Sequence, residues 1–107
     1  DMVNVQDGEY DCVFISGVLE HVPELQKAID EITRIIKPKG RMILGVPFRQ
    51  HLHGMPYDFW RFTPFTLGYL FGENFEFEEL KAIDENPKDF PSAYWLLAKK
   101  YEKKGKT

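Results

Sequence analysis

The chain has few of the features that would identify a complete nucleotide-binding enzyme. No two of its eight glycines stand close enough to form the Gly-x-Gly-x-x-Gly loop that holds phosphates and nucleotides. Cys12 is the one cysteine, so an intramolecular disulfide is excluded, and its apolar neighbours predict a buried thiol rather than a nucleophile or metal ligand. No apolar run approaches the ~20 residues that span a bilayer, and no signal-peptide pattern opens the chain. We therefore expect a cytoplasmic protein without a membrane partner.

Charge and composition indicate one small globular unit. The formal net charge is −3, which gives no case for a nucleic-acid partner. The 107 residues, 43% of them hydrophobic and 15% aromatic, suffice for the core of a single domain spanning 1–107. Basic residues crowd into 99–107, and we expect a solvated, frayed tail there rather than a binding patch.

Two apolar runs with an amphipathic segment between them predict a β-α-β unit. Residues 11–16 are nearly all apolar, with β-branched and aromatic side chains, as in a parallel strand covered on both faces. Apolar residues then recur at helical spacing from Pro23, which would lie in the first turn, and Pro38 disfavours helix at the residue before it. Residues 42–46 form the second apolar run. Two parallel strands are therefore expected.

The second half of the chain predicts one more helix and two more strands. Thr63 and Pro64 are typical of a helix cap and first turn, and Gly72 marks the end of that helix. Residues 75–78 alternate in polarity as a half-exposed strand does, and 93–98 supply the last strand. The predicted fold class is α/β, with a mixed sheet of about four strands and flanking helices.

Several segments, in this order, carry a family resemblance: 11–22, 28–40, 46–48 and 53–64. Together they resemble the class I S-adenosylmethionine-dependent methyltransferases, above all the type 11 group. Lys39 stands where that family commonly has glycine. The resemblance implies a partial Rossmann-like sheet that corresponds to the fourth to seventh strands of the family, with the last strand antiparallel and inserted beside the fifth.

On this resemblance the chain would be the carboxyl-terminal half of a methyltransferase domain. The half that carries the glycine-rich loop and the acidic residue for the ribose hydroxyls would be missing. The start at Asp1 without methionine is expected of a trimmed chain, a processed product or a fragment, and the sequence does not distinguish these. The parent protein would transfer a methyl group from S-adenosylmethionine to a small-molecule acceptor. This chain would supply the acceptor side and part of the cofactor edge, and we expect it to be inactive alone.

The resemblance also assigns cofactor contacts. Asp1 and Met2 stand roughly where the family meets adenine. Ser16, Gly17 and Val18 follow the first strand and would lie along the methionine part of the cofactor, largely through their backbone. That position is the carboxyl edge of the strands, where open α/β sheets bind ligands.

Two interpretations stay open for each acceptor-side feature. His21 could be a base near the acceptor, or Glu20 and His21 could fix the loop by hydrogen bonds, which we prefer. The segment 53–62 could fold over the acceptor. Alternatively, Asp58 and Arg61 could form an ion pair with each other while the aromatic residues of the segment cap the core. The residues predicted to contact substrate are His53, Tyr57, Asp58, Trp60 and Arg61. Two loop histidines are weak evidence for a metal, and none is predicted.

A non-enzymatic role is the alternative. Strand 11–16 would lack its family neighbour, and an apolar edge strand favours pairing with another chain. The chain would then be a methyltransferase remnant that acts as an interaction or dimerisation module. A homodimer or a separate amino-terminal half is the expected partner.

Overall fold

A computed structural model describes residues 5–52, 55–85 and 90–102. The elements in chain order are β1 (Tyr10–Ser16), a 3₁₀ turn (Leu19–His21), α1 (Leu25–Ile35), β2 (Ile36–Pro47), α2 (Pro64–Phe71), β3 (Phe75–Ile83) and β4 (Ala93–Lys100). The predicted number and type of main elements are confirmed. Among the described residues, no helix is both long and apolar enough to cross a membrane.

The four strands form one mixed sheet in the order β1-β2-β4-β3. β1 runs parallel to β2, and β4 is antiparallel to both of its neighbours. The last strand of the chain is thus inserted between the second and third, as the family resemblance implied. The α/β fold class is confirmed, and the parallel pair brings the carboxyl ends of β1 and β2 to one edge of the sheet.

Helix α1 differs slightly from its predicted bounds. It begins at Leu25, two residues after Pro23, and its buried face carries Ile29, Ile32 and Ile35 at helical spacing. β2 follows without a loop at Ile36, although the sequence predicted a strand only from Met42. The proline at 38 excludes further helix, and an extended backbone is the conformation that it favours in the residue before it.

Helix α2 has the cap that its sequence predicts. The Thr63 hydroxyl accepts a hydrogen bond from the Thr66 backbone N–H at 3.2 Å, and Pro64 occupies the first turn. Leu67 and Phe71 are fully buried beneath it. The cap fixes the residue at which α2 begins. It therefore also fixes where the connection between β2 and α2 ends.

The described residues cover only one face of the sheet. On that face the side chains of Met42 and Leu44 are completely buried under the helices. On the opposite face Phe14 remains 65% exposed and the Cys12 thiol is exposed. The predictions of a strand covered on both faces and of a buried thiol are therefore wrong for the part of the chain described. A continuous apolar run indicates apolar surroundings on two sides, but it does not say which chain supplies them.

The basic residues at the end of the chain divide into two groups. Lys99 and Lys100 belong to β4 rather than to a frayed tail, whereas 103–107 lie outside the described residues. The Lys100 ammonium donates hydrogen bonds to the carbonyl oxygens of Thr33 at 2.6 Å and Ile36 at 2.7 Å. Burial lowers the pKa of this ammonium. Lys100 therefore ties the end of α1 to the sheet and satisfies carbonyls that a helix end leaves unpaired.

Replacing Lys100 with methionine should destabilise the fold by about 1–3 kcal/mol, because the part-buried carbonyl groups of Thr33 and Ile36 lose their hydrogen-bond donor. Lys99→Met is the matched control, since strand alternation directs that side chain to the other face. Urea unfolding followed by circular dichroism measures both variants. Equal midpoints for the two would contradict the role assigned to Lys100.

Lys39 has a left-handed backbone with φ of +71°, the conformation in which glycine is favoured. Replacing it with glycine should stabilise the protein by up to about 1 kcal/mol, since the strain relieved exceeds the added flexibility of the unfolded chain. Lys39→Ala should change little, because its ion pair with Glu102 at 3.9 Å is exposed. Thermal unfolding distinguishes these results, and a destabilised glycine variant would show that the lysine side chain itself contributes.

Candidate functional site

A cavity of about 340 Å³ lies at the carboxyl ends of β1 and β2. It is lined by Ser16, Gly17, Glu20, Gly45, Val46, Pro47, Gln50, Ala93, Tyr94 and Trp95. Gly17 has a φ of +69°, and a Cβ built on it would meet no atom within 4 Å. The backbone after β1 is therefore open to close approach by a ligand, at the edge where parallel strands commonly bind one.

Trp95 forms an aromatic wall of this cavity. A Cβ on Gly45 would lie 2.8 Å from the indole ring, so the ring rests against a strand position that only glycine leaves free. The indole also stacks with Phe14, with centroids 5.7 Å apart and planes 19° apart. Glycine in a strand interior often marks such a close approach. Sequence analysis did not select Trp95, because its partner Gly45 is distant in sequence.

Residues 57–62, which we call the aromatic strap, are fastened to the 3₁₀ turn after β1. The Phe59 backbone N–H donates to the Glu20 carbonyl oxygen at 2.7 Å, and the Trp60 indole N–H donates to the Val22 carbonyl oxygen at 2.6 Å. Phe62 is fully buried at the end of the strap. The predicted substrate segment and the turn that follows the first strand therefore form one local structure.

An ion pair stabilises the strap from within. Arg61 donates to both carboxylate oxygens of Asp58, at 2.6 and 3.0 Å, and also to the His51 carbonyl oxygen at 3.1 Å. The hydrogen bonds to Asp58 raise the pKa of Arg61. The Asp58 side chain is only 1% exposed, whereas Tyr57 and Trp60 stay partly exposed. The geometry thus matches the pairing interpretation for Asp58 and Arg61, and it leaves two aromatic rings accessible.

His21 also contacts the strap. Its Nδ1 lies 2.5 Å from the Tyr57 carbonyl oxygen, which can only accept, so Nδ1 carries the proton. Its Nε2 lies 3.6 Å from Oε2 of Glu20. This is the loop-fixing geometry that the sequence analysis preferred. A role for His21 as a base stays a prediction.

The remaining predicted site residues fall into three groups. Ser16 and Gly17 line the cavity, and Val18 follows them with its side chain half exposed. Asp1, Met2 and His53 lie outside the described residues. Among the residues that are described, no three or more His, Cys, Asp and Glu side chains are placed to hold a metal ion.

A wider groove of about 1020 Å³ lies beyond the end of β2. Arg49 crosses it, donating to the carbonyl oxygens of Phe90 at 2.7 Å and Asp84 at 3.0 Å, and its guanidinium lies 5.0 Å from the Phe90 ring centroid. Arg49 therefore holds the connection between β3 and β4 against the end of β2. Sequence analysis did not select it, because its partners come from distant segments.

Comparison with known proteins shows which family the chain is similar to. Residues 1–44 match the family model described as a methyltransferase domain. The chain is 30% identical over 88 residues to a demethylmenaquinone methyltransferase of Geobacillus, a match that covers 79% of this chain and 37% of that protein. Across the curated relatives it matches, the chain spans 12–37% of their length.

Solved structures share the fold at low identity. One is a candidate type 11 methyltransferase of Sulfolobus solfataricus, with a TM-score of 0.69 and 21% identity. The match covers all of this chain and 59% of the other chain. A 1,6-didemethyltoxoflavin N1-methyltransferase of Burkholderia thailandensis, solved with that substrate and S-adenosylhomocysteine, gives a TM-score of 0.70 at 18% identity. That match covers 89% of this chain and 45% of the other.

Changing Asp58 to asparagine should destabilise the protein by about 1–3 kcal/mol, because a charged hydrogen-bonding partner is removed from a buried position. Glu31→Gln is a matched control, since Glu31 also pairs with an arginine three residues later, Arg34, but its side chain is 41% exposed. Its effect should be much smaller. Chemical unfolding measures both, and a larger loss from Glu31→Gln would contradict the assignment of Asp58 as the main anchor of the strap.

Proposed function

Because this chain belongs to the class I S-adenosylmethionine-dependent methyltransferases, we propose that it forms the acceptor side of a methyl-transfer site. The observation that carries the proposal is the cavity at the carboxyl ends of β1 and β2, bordered by the open backbone of Gly17. Ser16 and the wall formed by Trp95 also line this cavity. An accessible backbone and an aromatic wall are what a bound small molecule needs there.

The chain corresponds, in this proposal, to the carboxyl-terminal half of a methyltransferase domain. Three findings support it: the strand order with β4 inserted beside β2, the open second face of the sheet, and coverage of 45–64% of the solved chains compared. An amino-terminal half, supplied by the same or another polypeptide, would cover Phe14 and pair with the outer edge of β1. The proposed partner therefore adds both apolar cover and strand hydrogen bonds.

The residues present fit one part of the cofactor. When bound, S-adenosylmethionine supplies an electrophilic methyl group. Ser16, Gly17 and Val18 would hold its methionine part through backbone groups, and Gly17 leaves room for close contact. The sequence contains no Gly-x-Gly-x-x-Gly loop to hold the remainder. We therefore propose weak cofactor binding and no turnover by this chain alone, while Asp1 and Met2 remain candidates for the adenine edge.

The strap would position the acceptor. The Asp58–Arg61 pair keeps its backbone in place, and Tyr57 and Trp60 present partly exposed aromatic surface for a flat molecule. Methyl transfer depends mainly on alignment, with a base required only if the acceptor carries a proton. His21 is the candidate base, acting from Nε2 because Nδ1 is occupied by Tyr57. His53 stays in the proposed substrate set on sequence grounds alone.

A second candidate function is an interaction module, favoured by the 65% exposure of Phe14 on an edge strand. In the described residues β1 pairs only with β2, so its outer edge can accept another strand. A second copy of this chain would satisfy both the edge and the apolar face. Such a dimer would need no cofactor.

S-adenosylhomocysteine titration followed by amide NMR shifts tests the proposal. We expect weak binding with shifts concentrated at Ser16, Gly17 and Val18. Gly17→Ala should abolish it, because the added Cβ blocks the approach and strains the backbone. Gly68→Ala is the control, since its Cβ also meets nothing within 4 Å, but on α2. Absence of shifts at millimolar ligand would contradict the donor edge, and self-association in sedimentation would then support the interaction module.

A further inference from the structure

Arg49 brings uncommitted hydrogen-bond donors to the groove beyond the end of β2. A guanidinium carries five N–H donors. Two of them are used within the fold, one at Nε by the Phe90 carbonyl oxygen and one at Nη2 by the Asp84 carbonyl oxygen. In the described part of the chain, Nη1 makes no hydrogen bond. The Arg49 side chain is 32% exposed and lines the groove, so a ligand there can reach it.

The donors that remain form a pair suited to a carboxylate. Nε and Nη2 make up one edge of a guanidinium, and Nη1 and Nη2 make up the other. Either edge can donate two parallel hydrogen bonds to the two oxygens of a carboxylate. In Arg49 backbone carbonyls occupy the Nε edge, which leaves the outer edge for a ligand. The same carbonyls hold the guanidinium in place, so little side-chain freedom is lost on binding.

Asp84 is the acid nearest to this guanidinium among the residues described as lining the groove. Its carboxylate lies 3.6 Å from Nη2, beyond hydrogen-bond distance, and its side chain is 67% exposed. Solvent screens an ion pair of this kind strongly. His51 also lines the groove and adds positive charge when it is protonated. Asp84 therefore competes with an incoming anion only weakly.

Aromatic surface lies beside the guanidinium. Its central carbon stands 5.0 Å from the centroid of the Phe90 ring. Phe48 meets the same ring edge to face, with centroids 5.9 Å apart and planes 89° apart. Phe90 is 46% exposed, and both phenylalanines line the groove. A flat ring that carries a carboxylate can pack against these rings while its charge meets Arg49.

We propose that Arg49 forms a recognition site for the carboxylate of a small aromatic ligand. Gln50 lines both this groove and the cavity beside Gly17, so the two spaces adjoin. Under the proposed function, on which this meaning rests, the ligand is the methyl acceptor, and Arg49 anchors the end of it that does not react. Binding at Arg49 does not require the cofactor, so it can be tested without it.

Benzoate, benzamide and benzamidine are the probes, since they share one flat shape and differ in charge. Titrated into the chain at neutral pH and low salt, benzoate should shift the amide signals of Arg49, Gln50 and Ser92 to saturation. Benzamide should bind at least about tenfold more weakly, because it lacks the charge. Benzamidine, a cation, should give no saturable shift at these three residues. Binding of benzamide or benzamidine there as tight as that of benzoate would overturn the proposal.

Arg49→Gln should weaken benzoate binding about tenfold and leave the weak benzamide binding unchanged. Arg41→Gln is the matched control, because it removes the same charge from the same strand, where Arg41 is committed to Glu78 through two hydrogen bonds. Benzoate binding should not change in this control. Equal losses in the two variants would show a general effect of net charge and contradict the site.

Asp84→Asn separates ligand binding from a purely structural role of Arg49. Asparagine keeps the size of the side chain and tolerates the left-handed backbone at this position, where φ is +58°. Removal of the competing carboxylate should strengthen benzoate binding several-fold without affecting benzamide. A residue that only holds the β3–β4 connection in place predicts no such gain. Unchanged or weaker benzoate binding in this variant would refute the proposal, even if Arg49→Gln does not fold.

The cofactor titration fails independently of this one. Binding of benzoate without S-adenosylhomocysteine would leave the carboxylate site in place and remove methyl transfer as its purpose. Binding of S-adenosylhomocysteine without benzoate would leave the donor edge in place and count against the carboxylate site.

Discussion

Two backbone carbonyls of the turn after β1 hold the candidate site together. Those of Glu20 and Val22 accept hydrogen bonds from Phe59 and Trp60, about forty positions later in the chain. A 3₁₀ turn leaves such carbonyls available because it makes few internal hydrogen bonds. Once they are paired, the strap lies beside the carboxyl ends of β1 and β2, and Glu20 is buried between them. The position of the strap and of its Asp58–Arg61 ion pair depends on this contact.

The uncovered face of the sheet is the second constraint. α1 and α2 lie on one side, so the core is a two-layer structure in the described part of the chain. The stack of Phe14 on Trp95 reduces the exposed apolar surface on the other side but does not remove it. The same tryptophan also borders the cavity. Whatever covers this face would therefore contact a wall of the cavity, which connects the proposed partner to the proposed activity.

Much of the fold could be predicted from the sequence, because its signals are local. Thr63 caps α2 through a residue three positions away, and the isoleucines of α1 mark its buried side within one helix. The start of β2 was missed because Pro38 and Lys39 looked like a turn, whereas a strand accommodates them through one left-handed residue. Strand order came from the family resemblance, since no local pattern in 93–98 specifies its neighbours.

By itself the sequence determined the number and type of the main elements and the parallel pair. These follow from periodicity and caps, which act over a few residues. Only the tertiary structure decided that Cys12 and Phe14 are exposed and that Arg61 forms an ion pair with Asp58. It also decided that Glu20 and Trp95 share one cavity. Burial and charge compensation depend on groups brought together from distant positions, and a linear pattern cannot specify which groups meet.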